Sequence, residues 1–272
     1  MERQCIFITG AASGIGRATA ELFHQKGWFV GAYDMDVDGL NTLEEELGEG
    51  CRTGKLDVTD KAAFDIAFST FAEKTKGRLD LMFNNAGITV GGFFDDVPFD
   101  QIIKMVNVNL IGVLNGVHAA IPYLKQTDNS LCFSTASSAS MFGSPGMATY
   151  GATKFAIRGF TNAMSVELAR YGVRAADVLP GIIDTPLWKA NKYQDGKAVS
   201  NYEGLLEASR NKTDARRTVS PEEVAKAVWN AYHGTKLHWY VPDDLEDDDM
   251  TAPAAYEMRR DELIAVAKAK SE

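Results

Sequence analysis

The sequence alternates between short β-rich runs and longer stretches with helical periodicity, from its first residues almost to its last. Gly, Asp or Asn bounds the β-rich runs, and each helical stretch is long enough to cross a sheet and return. The predicted strands span residues 4–9, 28–33, 51–57, 79–84, 130–136, 173–179 and 237–242. The predicted helices span residues 14–26, 37–47, 60–76, 100–126, 149–171 and 221–233. Right-handed crossovers then give an α/β fold, a doubly wound parallel sheet of about seven strands with helices on both faces.

Composition sets the class of protein and excludes some partners. The 272 residues are 45% hydrophobic and 24% charged, which is typical of a globular chain that forms one large domain or two small ones. No repeat, Pro-rich linker or low-complexity tract interrupts the alternation, so we expect a single domain over residues 1–272. A net charge of −9 and a pI near 5.1 argue against nucleic acid and anionic lipid as partners, since both require a basic surface.

The cysteines and the start of the chain bear on its location. Cys5, Cys51 and Cys132 are odd in number and lie in or beside apolar runs, so we predict buried free thiols in a reducing compartment. A strand pattern begins at residue 4, where a signal peptide would need a basic leader and a long apolar stretch. No segment is expected to reach membrane-spanning length. We therefore expect a cytoplasmic protein without a membrane partner.

Histidine placement argues against two kinds of site. The four histidines lie far apart without metal-type pairing, so no metal is predicted and each is expected at the surface or in packing. A Ser-His-Asp hydrolase is also disfavoured, because the chain has no Gly-x-Ser-x-Gly elbow and no histidine in the expected late loop. The four residues are His24, His118, His233 and His238.

Three features of the C-terminal half give further local predictions. Ser220 can cap a helix that starts at Pro221, with Glu223 completing a reciprocal capping box. The acidic run 243–249 is interpreted as a solvated turn before a helix near 253–270. Residues 184–218 are polar and break the alternation, which indicates an insertion that serves as a substrate lid or as an ordinary surface loop.

A glycine-rich turn follows the first predicted strand and opens the first predicted helix. Its glycines would let the backbone turn tightly and approach a pyrophosphate, whose charge the helix N-terminus attracts. The spacing Gly-x-x-x-Gly-x-Gly differs from the generic Gly-x-Gly-x-x-Gly, so a tight turn without a ligand remains the alternative. The residues expected at a cofactor are Gly10, Ser13, Gly14, Ile15 and Gly16.

An acidic residue ends the second predicted strand. Asp34 lies where a carboxylate can accept both ribose hydroxyls of an adenosine and would repel a 2′-phosphate. Neither Met35 nor Ser13 supplies the cation that such a phosphate would need. NAD is therefore predicted over NADP, the alternative being that Asp34 only caps the strand.

Tyr150 and Lys154 lie one turn apart at the start of a long amphipathic helix. The phenol of tyrosine has an ordinary pKa near 10, and a nearby ammonium favours the phenolate, so the pair suits proton transfer near neutral pH. The same spacing also occurs in ordinary helices, where it has no chemical role.

The ordered set of motifs resembles the short-chain dehydrogenase/reductase family, over nearly the whole length from Thr9 to about Pro242. It comprises the glycine-rich turn, the segment Asn-Asn-Ala-Gly that ends at Gly87, and a serine thirteen residues before Tyr150. The resemblance implies a Rossmann-like fold and an oxidoreductase that moves hydride between NAD(H) and an alcohol or carbonyl substrate. An NAD-binding sensor or scaffold without turnover is the alternative, and epimerisation or dehydration by transient hydride transfer is a third.

By this resemblance, Tyr150 is the general acid in reduction and the general base in oxidation. Ser137 would hydrogen-bond the substrate oxygen, and Lys154 would hold the nicotinamide ribose and lower the pKa of Tyr150. Asn109 matches the asparagine that supports a proton-relay water. Ser138 and Asn107 compete by adjacency, but the spacing of Ser137 and Asn109 fits the family motif.

The resemblance also assigns cofactor contacts. Asp57 would meet the adenine amino group, the Asn-Ala-Gly segment would line the adenosine side, and Ile183 and Thr185 would contact the carboxamide. A purely structural role is the alternative for Asp57 and Asn85. The residues implied are Asp57, Val58, Asn85, Ala86, Gly87, Pro180, Gly181, Ile183 and Thr185, beside Tyr150 and Lys154.

The substrate is the least constrained part of the prediction. Apolar candidates for the pocket wall favour a hydrophobic secondary alcohol or ketone, the alternative for each being an ordinary place in the core or an interface. They are Met141, Phe142, Met147, Leu187 and Trp188. The helices near 100–126 and 149–171 are the family's usual interface surfaces, so a homodimer or homotetramer is expected by resemblance.

Overall fold

The computed structural model describes residues 3–201, 203–210, 212–214, 216–253, 260 and 264. Its strands are β1 Cys5–Thr9, β2 Phe29–Asp34, β3 Cys51–Lys55, β4 Leu81–Asn84, β5 Leu131–Thr135, β6 Arg174–Pro180, β7 Ile182–Ile183, β8 Asn191–Gln194, β9 Lys197–Asn201, β10 Thr218–Val219 and β11 His238–Val241. Its α-helices are α1 Gly14–Gln25, α2 Val37–Leu47, α3 Lys61–Thr75, α4 Phe99–Val106, α5 Gly112–Leu124, α6 Ala148–Glu167, α7 Glu203–Arg210 and α8 Pro221–His233, and residues 245–253 are also helical (α9).

Seven strands form one parallel sheet in the order β11-β6-β5-β4-β1-β2-β3, which confirms the predicted fold class. The strand period of two divides each strand between two cores. In β1, Phe7 faces the core under α3, α5 and α6, whereas Ile6 and Ile8 face the core under α1, α2 and α8. Both faces of the sheet are therefore covered by helices, as burial of a parallel sheet requires.

The helix predicted over 100–126 forms with an irregularity at its centre. Asn107–Ile111 is a π-helical turn that joins α4 to α5. This continuous helix, Phe99–Leu124, is long and apolar enough for a membrane span, so the expectation that no segment reaches that length is wrong. Its buried side chains, including Val113 and Val117, pack in the core shared with α3, and core helices of soluble proteins pass the same test.

Several local predictions are wrong. Ser220 precedes α8 as expected, but its side chain makes no cap hydrogen bond and instead bonds the carboxylate of Glu222, so the capping box does not form. Cys51 is only partly buried, unlike the other two free thiols. The acidic run is not a solvated turn, since residues 245–249 are helical and Asp249 is buried. Most of the helix predicted over 253–270 lies outside the described residues.

Candidate functional site

A cavity of about 1340 Å³ opens at the carboxyl ends of β1, β2, β4, β5 and β6, the edge where open α/β sheets bind ligands. The residues that line it lie up to 180 positions apart in the sequence, from Gly10 to Ala190. Two predicted site residues, Gly16 and Asn109, are not on its wall. The predicted residues that line it are Gly10, Ser13, Gly14, Ile15, Asp34, Asp57, Val58, Asn85, Ala86, Gly87, Ser137, Tyr150, Lys154, Pro180, Gly181, Ile183 and Thr185.

Gly16 allows the turn to fold back on the start of α1. A Cβ atom at this position would lie 2.0 Å from the carbonyl oxygen of Gly10, and a backbone atom cannot move aside. Asn85 secures the same turn, because its Nδ2 donates to the carbonyl oxygens of Thr9 (3.2 Å) and Gly10 (3.3 Å). Its Oδ1 accepts from the hydroxyl of Thr135 (3.1 Å). Asn85 therefore ties the turn to the neighbouring strands and fixes the shape of this end of the cavity.

The start of α1 has the character of an anion-binding site. Ser13 precedes the helix without a side-chain cap hydrogen bond, and the first turn carries no acidic side chain. Gly14 and Ile15 from this first turn line the cavity. The partial positive charge of the helix N-terminus thus faces the cavity uncompensated by the first turn, which fits a phosphate group of a dinucleotide.

Two carboxylates lie further along the same wall. Asp34 accepts from the backbone N–H groups of Ala12 and Asp36, both at 3.0 Å. Asp57 accepts from the backbone N–H (2.9 Å) and the hydroxyl (2.8 Å) of Thr59. These bonds fix both carboxylates, so each has a structural function in addition to its position on the cavity wall.

Ser137 and Tyr150 also line the cavity. Ser137 precedes the 3₁₀ turn Ser138–Ser140, and its Oγ accepts from the N–H of Ala139 (3.1 Å). Its single O–H hydrogen is therefore free for Tyr150, with which it is hydrogen-bonded. Burial raises the pKa of Tyr150, and this bond opposes the shift. The two hydroxyls form one donor and acceptor unit on the cavity wall.

Lys154 lies beneath this pair, with its Nζ 5.6 Å from the centre of the Tyr150 ring. The Nζ donates to the carbonyl oxygen of Thr135 (2.7 Å), and only 4% of the residue is exposed. Burial lowers the pKa of Lys154 to about 8. Because burial is the leading influence on both groups, the net pKa of Tyr150 is raised here, whereas the resemblance implied that Lys154 lowers it.

Asn109 lies in the π-helical turn, fully buried behind the cavity wall. Its Oδ1 accepts from the N–H of Ile88 (2.8 Å), and its Nδ2 donates to the carbonyl oxygen of the same residue (2.9 Å). The Nδ2 also donates to the hydroxyl of Thr153 (3.2 Å), which neighbours Lys154. The side chain thus connects the loop after β4 to α6. Asn107, its competitor in the sequence, is exposed and lines the cavity.

The segment 184–218 contains a short 3₁₀ helix, Pro186–Lys189, followed by the β8–β9 hairpin, α7 and β10. The indole Nε1 of Trp188 donates to the carbonyl oxygen of Ile183 (2.5 Å), which occupies one group that the resemblance assigned to the cofactor. The hairpin is held to the loop after β4, since Gly91 bonds the backbone of Asn191 (3.0 Å) and Tyr193 (2.7 Å).

The apolar wall differs in part from the prediction. Met141 is buried in the core and does not line the cavity, because the 3₁₀ turn before it directs it toward the interior. Sequence reasoning missed one face of α4, although its members recur at the i, i+3 and i+4 positions of a helix. The predicted residues that line the cavity are Phe142, Met147, Leu187 and Trp188, and the missed ones are Asp100, Ile103 and Lys104.

Among the described residues, no cluster of three or more His, Cys, Asp or Glu side chains could hold a metal ion. His238 bonds Asp177 through its Nδ1 (2.7 Å), at the far edge of the sheet from the glycine-rich turn.

Residues 4–196 match the sequence profile of a protein family described as short chain dehydrogenase.

The chain belongs to the short-chain dehydrogenase family. Among curated relatives of this oxidoreductase family, the 3-oxoacyl-acyl-carrier-protein reductase FabG of Thermotoga maritima is 33% identical, over 84% of this chain and 89% of the relative. Oxidoreductase UcpA of Salmonella typhimurium is 31% identical, over 80% of this chain and 83% of the relative.

Solved structures of short-chain dehydrogenases have the same fold. A 3-ketoacyl-acyl-carrier-protein reductase from Brucella melitensis, complexed with NADH, is 25% identical with a TM-score of 0.76, and the match covers 88% of this chain and 97% of that one. A short-chain dehydrogenase from Burkholderia phymatum, in complex with NAD, matches 95% of both chains with a TM-score of 0.82. At 24% identity, the second likeness bears on the fold alone.

Proposed function

We propose that the protein is an NAD-dependent oxidoreductase that interconverts an alcohol and a ketone. One observation carries this proposal: the hydrogen-bonded hydroxyls of Ser137 and Tyr150 line the same cavity as the glycine-rich turn. The hydroxyl of Tyr150, which would exchange a proton with a substrate oxygen, therefore lines the same cavity as the start of α1, which would bind an anion. Family membership and the NADH-bound Brucella relative support the same reaction class.

The residues that would hold the cofactor follow the cavity wall. The start of α1 would bind the pyrophosphate, and Asp34 would accept the ribose hydroxyls. Asp34 lies 3.0 Å from the N–H of Ala12 and would repel a 2′-phosphate, which favours NAD over NADP. Lys154 would bind the nicotinamide ribose. When bound, NAD(H) supplies or accepts the hydride.

The protein's own groups handle the proton and the charge that develops on oxygen. During reduction, Tyr150 donates its proton to the substrate oxygen while Ser137 hydrogen-bonds that oxygen. During oxidation, the same phenol accepts the proton. Asn109 fixes the backbone at Ile88 and supports the relay that returns a proton to Tyr150 from solvent.

The pKa of Tyr150 bears on whether the protein without ligand is protonated for reduction or deprotonated for oxidation. Because burial raises this pKa, the phenol is protonated at neutral pH and ready to act as an acid. That is the state required for reduction. A ketone substrate also agrees with the names of the Thermotoga and Brucella relatives. The apolar wall at Phe142 and Leu187 suits a hydrophobic substrate.

The remaining organisation is proposed on the same basis. Residues 1–272 form one dinucleotide-binding and catalytic domain, in which 184–218 covers the substrate. Exposed apolar side chains on α4 and α6, such as Phe99 (68% exposed) and Val166 (76%), support a homodimer or homotetramer through these helices. Free thiols at Cys5 and Cys132 agree with a cytoplasmic location.

A panel of secondary alcohols and ketones, assayed at the nicotinamide absorbance with NAD(H) and NADP(H) in parallel, tests this function. We expect turnover with apolar ketones and NADH, and Tyr150→Phe should abolish it while NADH still binds. Tyr171→Phe, at a 40% exposed tyrosine beyond the same helix, is the control and should leave kcat unchanged. NADH binding without turnover of any substrate would favour the sensor or scaffold alternative.

A further inference from the structure

A partly buried ion pair connects the helix of Tyr150 to the C-terminal part of the fold. Arg158 lies one turn beyond Lys154 on α6, and Asp249 lies on α9 with 9% exposure. The Nη1 of Arg158 donates to Oδ1 of Asp249 (2.8 Å), and its Nη2 donates to Oδ2. Such a two-point contact fixes the plane of the guanidinium as well as its position.

The same guanidinium reaches the turn that carries Ser137. The Nη1 of Arg158 makes a long, charge-assisted hydrogen bond to the carbonyl oxygen of Ser140 (3.4 Å). Ser140 is fully buried and bonds the carbonyl oxygen of Ser137 through both its Oγ (2.6 Å) and its N–H (2.9 Å). A continuous set of bonds thus runs from Asp249 through Arg158 and Ser140 to the backbone of Ser137.

The geometry of α6 makes the turn sensitive to this connection. A Cβ atom on Gly151 would lie 3.3 Å from the carbonyl oxygen of Ala139, so α6 packs directly against the turn one residue after Tyr150. A shift of the turn relative to α6 would therefore change the contact between the hydroxyls of Ser137 and Tyr150. Arg158 is the side chain of α6 that bonds both the turn and a distant element.

The surroundings explain why the pair can remain charged inside the protein. Asp249 also accepts from the hydroxyl of Tyr240 (2.6 Å), and Asp177 with its partner His238 lies within electrostatic range. An ion pair withdrawn from water contributes little net stability compared with apolar residues of the same volume, but removing one partner leaves the other charge uncompensated, which is destabilising where that charge is buried, as Asp249 is. Its effect on the position of the turn is therefore the property to measure.

We propose that Arg158, anchored by Asp249, is a positioning residue that holds Ser137 at hydrogen-bonding distance from Tyr150. This inference rests on the proposed function, since it assigns Ser137 a part in turnover. It extends the functional unit to α9, which lies outside the cavity wall.

The test compares variants of Asp249 and Arg158, the two members of the ion pair, with a control variant of a neighbouring residue. Asp249→Asn keeps the shape of the side chain but removes the charge that holds the guanidinium. Arg158→Lys keeps the charge but cannot bond both Asp249 oxygens and Ser140 at once. Tyr240→Phe is the control, because it removes a donor to the same carboxylate without touching Arg158. Each variant is assayed with NADH and the most active ketone of the panel, with its Tm and NADH affinity measured alongside.

We expect Asp249→Asn and Arg158→Lys to lower kcat between about 10-fold and 100-fold, the effect of a small misplacement of a reacting group, with unchanged NADH affinity. Tyr240→Phe should lower the Tm and leave kcat intact. A double-mutant cycle gives the decisive comparison, because Asp249→Asn should have no further effect on the residual turnover of Ser137→Ala.

Equal fold-losses from Asp249→Asn in the wild-type and Ser137→Ala backgrounds would overturn the positioning role. So would a normal kcat in Asp249→Asn and Arg158→Lys while Ser137→Ala is impaired, and in that case the proposed function would stand. Full turnover in both Ser137→Ala and Tyr150→Phe would instead remove the proposed mechanism itself.

Discussion

The Nζ of Lys154 donates a hydrogen bond to the carbonyl oxygen of Thr135 at 2.7 Å, on the floor of the cavity that the Tyr150 phenol also lines. This bond holds the amine within reach of a ligand without exposing it to water, as the 4% exposure of Lys154 shows. The lost hydration lowers its pKa from an ordinary value near 10.5 to about 8. A measurable dependence on pH follows.

Between pH 8 and 10.5, the unfolded chain binds more protons at Lys154 than the folded protein does. The free energy of unfolding should therefore rise with pH across this window, since the folded state favours the neutral amine. We expect the Tm of the wild type minus the Tm of Lys154→Met to increase as the pH rises from 8 to 10.5. A Tm difference that stays constant over this range would contradict the lowered pKa.

Asn109 gives a prediction about stability. Replacing it with Ala leaves the N–H and C=O of Ile88 without their partners, and each buried polar group left unpaired costs about 1–3 kcal/mol. We expect Asn109→Ala to lower the free energy of unfolding by about 2–6 kcal/mol and to lower kcat, as urea unfolding and kinetics would measure. Asn107→Ala, at an exposed position in the same π-helical turn, should change stability little. Equal losses in the two variants would contradict the role given to Asn109.

Much of the fold could be predicted because its signals are local. The alternation of Ile6, Phe7 and Ile8 between two cores is a period-two pattern visible in the sequence. The convergence of Ser137 and Tyr150 was also predictable, since the carboxyl ends of parallel strands share one edge of the sheet and the family resemblance supplied the spacing.

The errors concern contacts that no local pattern records. Asp249 belongs to an acidic run, so the sequence predicted a solvated position for it. Its partner Arg158 lies 91 residues earlier in the chain. The β8–β9 hairpin carries no alternating apolar pattern because both strands are largely exposed, and its anchor at Asp96 lies 99 residues before Asp195. The raised pKa of Tyr150 depends on burial, which the spacing to Lys154 does not reveal.

Asp34 gives a prediction about cofactor choice. Asp34→Asn keeps an oxygen acceptor for the N–H of Ala12 but removes the charge that would repel a 2′-phosphate. We expect the ratio of kcat/KM for NADPH to that for NADH to rise by about tenfold or more, which corresponds to about 1.4 kcal/mol. Asp38→Asn removes the same charge at an exposed position in the first turn of α2 and should leave the ratio unchanged. If the ratio in Asp34→Asn equals that of the wild type, Asp34 does not select the cofactor.

Gly92 tests whether the hairpin controls access to the substrate. Its φ of +132° is unfavourable for other residues, and a Cβ atom there would lie 2.6 Å from the carbonyl oxygen of Tyr193. Gly92→Ala must therefore push the hairpin away from the loop after β4, which is joined to the segment before Tyr150 by the Gly92 to Gly146 bond (3.2 Å).

If 184–218 covers the substrate, this displacement should raise the KM for the ketone several-fold, while the KM for NADH, bound at the other end of the cavity, stays constant. Gly196→Ala is the matched control, because Gly196 also has a positive φ (+75°) in the hairpin but a Cβ atom there would meet nothing within 4 Å. It introduces backbone strain of about 1–2 kcal/mol without displacing the hairpin from Gly92. Steady-state kinetics on the two variants separates strain from displacement: a KM for the ketone that changes equally in both, or in neither, would mean that the hairpin does not control the substrate end of the cavity.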